Sequence, residues 1–137
     1  MTLVERLLEL RIHLGHLREI RPTISGTENL ESNISLRNDV LHSLQTVCQA
    51  VIDIAAELSA REGLPFQDYT EAVRNLARTG PFSAKLVKEL EALPGFRNIV
   101  IHEYVELDLE WVTQALDRLA PIETFAAALS EHLAEAE

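Results

Sequence analysis

The sequence is poor in the residues that interrupt helices or form disulfides. It contains one cysteine, five prolines and five glycines among 137 residues. The lone Cys48 cannot form an internal disulfide, which favours a reducing compartment and predicts a cytoplasmic protein. No apolar run reaches the roughly 18 residues of a membrane span, and no secretory signal is recognisable, so no membrane association is expected. Few helix breakers, together with abundant Leu, Ala and Glu, predict long helices.

Positive charge is also scarce, since 12 Lys and Arg face 22 Asp and Glu for a net charge of −10. A chain this acidic is not expected to coat itself with nucleic acid, because phosphate attraction needs a basic surface. A small, locally basic cleft remains compatible with this charge. One modest basic cluster has two interpretations, a solvated face or a rim that steers RNA phosphates: Arg74, Arg78, Lys85 and Lys88.

Apolar periodicity predicts two long helices. The first carries a leucine stripe and ends before Pro22, which opens a loop that reaches Thr27. The second runs from about Glu28 to about Ala60, and its wide apolar face predicts a central position in the fold. The two stripes consist of Leu3, Leu7, Leu10, Leu14 and Leu17, and of Val40, Leu44, Val47, Val51, Ile54 and Leu58.

Shorter helices are predicted over the second half of the chain. Asp68, Ser83 and Asp108 are expected to cap helices at about 69–78, at about 84–92 and from 109 onward. Pro94 and Gly95 are expected to end the second of these, before a segment at about 96–104. Pro121 should kink or restart the last helix, which continues over 122–133. The prediction is a single all-α domain spanning 1–137, an up-and-down bundle with two long antiparallel helices and shorter helices packed on them.

Chemistry-bearing residues concentrate between Gly95 and Tyr104. Arg97, Asn98, His102 and Tyr104 surround the apolar run Ile99-Val100-Ile101. This stretch resembles the Arg-x4-His-x-Tyr motif of HepT-like toxins, a branch of the HEPN domains. The resemblance extends over the helices from about Leu36 to Asp108, at the positions Leu44, Gln45, Ala50, Asp53–Ala55, Pro65, Tyr69, Leu76, Gly95 and Phe96. The sequence departs from the family at Asn38 and His42, which leaves the motif intact.

The resemblance implies a HEPN-type helical bundle that acts as a metal-independent endoribonuclease toxin without a cofactor. By position, Arg97 would bind phosphate, Asn98 would support it, and His102 would be the general acid or base. Two copies of the motif would meet in one composite cleft across a homodimer. A small nucleotidyltransferase antitoxin would silence the toxin by adenylylating Tyr104.

These residue types suit RNA cleavage. Histidine titrates near neutrality and can either accept the proton of a 2′-hydroxyl or protonate a leaving oxygen. Arginine gives a permanent cation with two parallel donors for a phosphate. On an ideal helix, however, positions five apart are separated by about 140° and about 7.5 Å. Arg97 and His102 therefore do not share a face, and a bent arginine or a partner chain must close the gap.

Other interpretations remain open. One is a catalytically silent HEPN partner that holds nucleotide or substrate for a nucleotidyltransferase, and another is a plain helical interaction domain. His13 and His16 lie one turn apart, but a metal site needs further ligands, so none is expected. Cys48 falls inside the apolar stripe and is expected to be a small core residue.

Overall fold

The structure is a computed structural model, and it describes residues 1–102 and 106–136. These residues form α-helices, with short 3-10 turns at Arg21–Thr23 and Leu76–Arg78 and no strand among them. The helices are α1 (Leu3–Ile20), α2 (Thr27–Ser32), α3 (Ile34–Arg61), α4 (Tyr69–Asn75), α5 (Ala84–Leu90), α6 (Leu93–His102), α7 (Leu109–Leu116) and α8 (Ala120–Glu135). The predicted all-α fold class is confirmed.

Helices α1 and α3 are the long antiparallel pair. Arg6, near the start of α1, donates to the Asp53 carboxylate at 3.1 Å, whereas His16, near its end, lies 2.8 Å from the carboxylate of Asp39. Residue numbers therefore rise along one helix as they fall along the other. The predicted leucine stripe of α1 is buried against this partner and against α8.

Helix α3 is the centre of the bundle. It contacts α1, α2, α4 and α6, and its buried side chains lie on several of its sides, as the width of the apolar stripe predicted. Cys48 is among them, and desolvation by burial raises the pKa of its thiol to about 12. The thiolate form is therefore absent near neutrality, which agrees with an inert core cysteine.

The prediction of one helix from Glu28 to Ala60 is wrong, because the chain breaks at Asn33. This residue has an extended backbone, with φ −122° and ψ 95°, and its side chain accepts a hydrogen bond from the Leu36 N–H at 3.0 Å. A short amide side chain competes with helical hydrogen bonding and is favoured at helix starts. Asn33 therefore ends α2 and caps α3.

The prediction that Pro94 and Gly95 end the helix at about 84–92 is also wrong. Helix α5 ends earlier, at Leu90, and α6 already begins at Leu93. Proline lacks an N–H group, but the first turn of a helix has no intrahelical partner for that group in any case. Pro94 therefore fits in the first turn of α6, and it is buried there.

The predicted helix caps are confirmed. Asp68 accepts from the Glu71 N–H at 2.8 Å, Ser83 accepts from the Leu86 N–H at 3.1 Å, and the Asp108 carboxylate accepts from the first turn of α7. Pro121 lies in the first turn of α8, so it restarts the helix. Within the described chain, no helix has the length and apolarity needed to cross a bilayer.

Candidate active site on helix α6

The apolar residues of helix α6 pack mainly against α3, so the exposed side of α6 forms a polar rim. Pro94 and Val100 are buried, and Leu93 and Phe96 pack partly buried against the core. Asn98 and His102, one helical turn apart, remain exposed on another side. The apolar run inside the motif therefore anchors the helix, and two of its polar residues reach solvent.

Arg97 is held at the border between α6 and α4. Its Nη1 donates to Oδ1 of Asn98 at 2.8 Å, and its guanidinium carbon lies 5.9 Å from the centre of the Tyr69 ring. Its Nε is buried and has no hydrogen-bond partner in the described part of the chain. Nor does Arg97 form an ion pair there. Five other arginines do pair with carboxylates: Arg6, Arg18, Arg21, Arg61 and Arg74.

His102 lies in the last turn of α6 and is exposed. Over residues 1–102 and 106–136, no hydrogen bond or ion pair joins it to Arg97. The half-buried Arg97 side chain extends toward α4, whereas His102 is exposed to solvent at the end of α6. The divergence expected from their spacing is therefore present. Tyr104, the fourth residue of the motif, lies outside the described residues.

A depression of about 470 Å³ is lined by two residues that contact Arg97. It separates the beginning of α4 from the first turns of α6, and Tyr69 and Asn98 both line it. Sequence reasoning noted Tyr69 only as a point of resemblance and missed its contact with Arg97. The two residues are on different helices and 28 positions apart, so no periodicity within one helix signals the contact.

On another flank of α6 lies an apolar groove of about 520 Å³, bounded by α3, α6 and α7. Phe96 and Trp111 stack in its wall with ring centres 4.4 Å apart. Ile99, which directly follows Asn98, lines the groove and is 37% exposed. Apolar surface therefore continues from this groove to the polar rim of α6.

The remaining candidate residues have ordinary surroundings. His13 Nδ1 lies 3.0 Å from the Ser43 hydroxyl, and His16 is paired with Asp39. In the described part of the chain, no group of three His, Cys, Asp or Glu side chains could hold a metal ion. In the basic cluster, Arg74 pairs with Glu91 at 3.3 Å. The steering role of this cluster stays a prediction.

Comparison with known proteins identifies relatives of the whole bundle. The family model described as ribonuclease HepT-like matches residues 10–129. The mRNA nuclease HepT of Shewanella oneidensis is 28% identical over 102 residues, which cover 73% of this chain and 76% of that protein. A putative RNase of Archaeoglobus fulgidus is 30% identical over 94 residues, which cover 69% of this chain and 71% of that protein.

Solved structures share the same fold. A tri-AMPylated Shewanella oneidensis HEPN toxin, solved in complex with an MNT antitoxin, superposes with a TM-score of 0.79 at 22% identity over 96% of this chain and 99% of that chain. A toxin–antitoxin structure with AMP-PNP gives a TM-score of 0.80 at 21% identity, over 94% of this chain and 97% of that chain. At this level of identity the similarity establishes the bundle and its helix order.

Proposed function

The chain belongs to the ribonuclease HepT-like family, and from that membership we propose that it is an endoribonuclease toxin controlled by a nucleotidyltransferase antitoxin. The observation that carries the proposal is the arrangement on α6. Arg97, which has no carboxylate partner among the described residues, lies beside the exposed Asn98, and the exposed His102 follows Asn98 by one helical turn.

Cleavage requires one acid, one base and one cation. The base takes the proton of the 2′-hydroxyl, whose oxygen bonds to the adjacent phosphorus while the bond from phosphorus to the 5′-oxygen breaks. The acid protonates that leaving oxygen, so a 2′,3′-cyclic phosphate and a 5′-hydroxyl remain. His102 can serve as either group near neutrality, and Arg97 stabilises the negative charge on the phosphorane. Each step uses side chains alone, so we propose that cleavage is independent of metal ions and cofactors.

A second copy of the chain supplies what one copy lacks. One motif contains one histidine, whereas general acid and general base are two roles. Arg97 contacts α4 whereas His102 is exposed at the end of α6, so a partner motif can supply the histidine that one copy does not place beside its own arginine. Exposed Ile99 and the neighbouring apolar groove offer surface for such a contact. We therefore propose a homodimer in which two motifs line one composite cleft.

Control by the antitoxin is proposed to act at Tyr104. The neighbouring solved structures include a tri-AMPylated HEPN toxin with an MNT antitoxin. In adenylylation the tyrosine oxygen bonds to the α-phosphorus of ATP, pyrophosphate leaves, and the phenolic proton is lost. Tyr104 follows His102 by two positions. An anionic nucleotide placed there would repel the RNA phosphate and fill the cleft.

Bacterial growth tests this function as a whole. Expression of the wild-type chain is expected to arrest growth, and His102→Ala is expected not to. Co-expression of an active MntA-type nucleotidyltransferase should relieve the arrest by wild type but not the arrest by Tyr104→Phe, which keeps the ring and lacks the acceptor oxygen. Equal arrest by wild type and His102→Ala would contradict a toxicity based on RNA cleavage.

A further inference from the structure

Tyr69 is an aromatic side chain placed at the rim of a cavity rather than in the core. It is the first residue of α4, a helix that buries Ala72 and Val73 while 43% of Tyr69 is exposed. The depression that it lines has a volume of about 470 Å³, within the range of about 300–1,000 Å³ typical of ligand sites. Burial in the core therefore does not explain the position of this ring.

The surroundings of Tyr69 combine the groups that recognise an unpaired base. The Arg97 guanidinium carbon lies 5.9 Å from the ring centre, so the proposed phosphate ligand is close to an aromatic ring that lines the depression. Asn98 lines the same depression, and because its Oδ1 accepts from Arg97, its amide N–H groups are the donors left for a ligand. Gln67 contributes a second exposed amide. Aromatic faces stack on bases, and amides bond to base edges.

We infer that this depression is a nucleobase subsite, in which Tyr69 stacks on the base next to the phosphate bound by Arg97. The inference rests on the proposed ribonuclease function and adds the substrate class to it. A paired base is stacked within its duplex, so only an unpaired base can enter the depression. The substrate is therefore single-stranded RNA, or a loop whose bases are free.

Binding measurements on a protein that cannot cleave separate base recognition from catalysis. The background is His102→Ala, and the probes are a fluorescein-labelled single-stranded RNA and inorganic polyphosphate, a polyanion without bases. Loss of one base–aromatic stack weakens binding by roughly tenfold or more. Tyr69→Ala is expected to lose that much affinity for RNA and to change polyphosphate affinity by less than about twofold. Tyr69→Phe, which keeps the ring, should restore RNA binding.

A second variant fills the depression without removing the tyrosine. Gly95 lines it, and a Cβ atom built there meets no atom within 4 Å. A side chain can therefore start at position 95 without a clash at its Cβ atom, and leucine is a better helix former than glycine. Gly95→Leu should weaken RNA binding while polyphosphate binding persists. Ile12→Ala, at an exposed apolar residue of α1, is the control with unchanged binding.

Three outcomes would overturn the subsite. Equal losses for RNA and polyphosphate in Tyr69→Ala would mean that Tyr69 only holds Arg97 in place. Unchanged RNA affinity in both Tyr69→Ala and Gly95→Leu would mean that no base occupies the depression. Failure of the background protein to bind single-stranded RNA would refute it as well. If instead the expected binding pattern appears but wild type cleaves no RNA, the subsite stands and the nuclease proposal fails.

Discussion

At the scale of single residues, the site depends on how each polar group is satisfied. Arg97 has an amide and an aromatic ring as neighbours in the described structure, and no carboxylate within ion-pair distance. Its charge is therefore not used in an ion pair there, whereas the ion pair of Arg74 with Glu91 partly cancels the charge of that arginine. The residue types of the motif were readable from the sequence. Their partners were not, because Tyr69 reaches Arg97 only through tertiary packing.

His13 provides a pH-dependent test at the same scale. Burial lowers the pKa of its imidazole, and the nearby His42 lowers it further, against the opposing effect of the Glu9 and Asp39 carboxylates. In the unfolded chain the group titrates near its usual value of about 6.5. Just below that pH the unfolded chain binds more protons than the folded chain. The free energy of unfolding therefore falls as the pH falls from about 6.5 toward the lower pKa of folded His13. Above about pH 6.5 the contribution of His13 to stability is fully present.

His13→Gln removes this titration and can keep a hydrogen bond to Ser43. Its free energy of unfolding, measured in denaturant at several pH values, is therefore expected to decline less between pH 7 and pH 5 than that of wild type. The same decline in both proteins would show that other groups cause the acid sensitivity.

At the scale of helices, apolar periodicity was sufficient to locate the long elements and the central position of α3. Apolar periodicity failed at the two helix boundaries that a single asparagine or proline determines. Asn33 interrupts a continuous apolar pattern with a side-chain cap, and Pro94 lies in the first turn of a helix where a break was expected. In both cases hydrogen bonding at the helix end has more influence on the boundary than apolar periodicity. Apolar periodicity carries no information about that hydrogen bonding. Asp68, Ser83 and Asp108 were predictable because each precedes a clear apolar run.

The cap at Asn33 predicts a measurable loss of stability. Asn33→Ala removes the acceptor for the Leu36 N–H, so unfolding should become easier by about 1 kcal/mol, the usual value for a lost N-terminal cap. Asn33→Asp retains an acceptor oxygen and should remain close to wild type in urea-induced unfolding. If Asn33→Ala were as stable as wild type, the side-chain cap would not be what stabilises the boundary between α2 and α3.

At the scale of the whole molecule, the proposed function requires an acidic chain to bind an acidic substrate. The net charge of −10 opposes RNA binding in general, so the proposed recognition has to be local, at Arg97 and the nearby depression. Buried side chains from every helix join one hydrophobic cluster in the described residues, while the single domain over 1–137 stays a prediction. The proposed composite cleft needs a second copy of the chain, and the sequence alone specifies neither the dimer contact nor its orientation.

The proposed dimer predicts a difference between two exposed isoleucines. Wild type should sediment at twice the 15.4 kDa mass of the chain. Ile99→Glu places a charge beside the apolar groove and should shift the protein toward monomer, with RNA cleavage falling in parallel. Ile12→Glu introduces the same charge at a more exposed position, 68% against 37%, and should do neither. If Ile99→Glu and Ile12→Glu had the same effect on sedimentation and RNA cleavage, the dimer interface would not lie at Ile99.

The central claim is RNA cleavage that uses His102 without a metal ion. Purified wild type, shown by intact mass to carry no nucleotide on Tyr104, would be incubated with single-stranded RNA in EDTA beside His102→Ala. We expect cleavage by wild type, with 2′,3′-cyclic phosphate ends, and none by the variant. Failure of the unmodified wild type to cleave several RNAs would contradict it, and would favour the catalytically silent role as a partner of a nucleotidyltransferase.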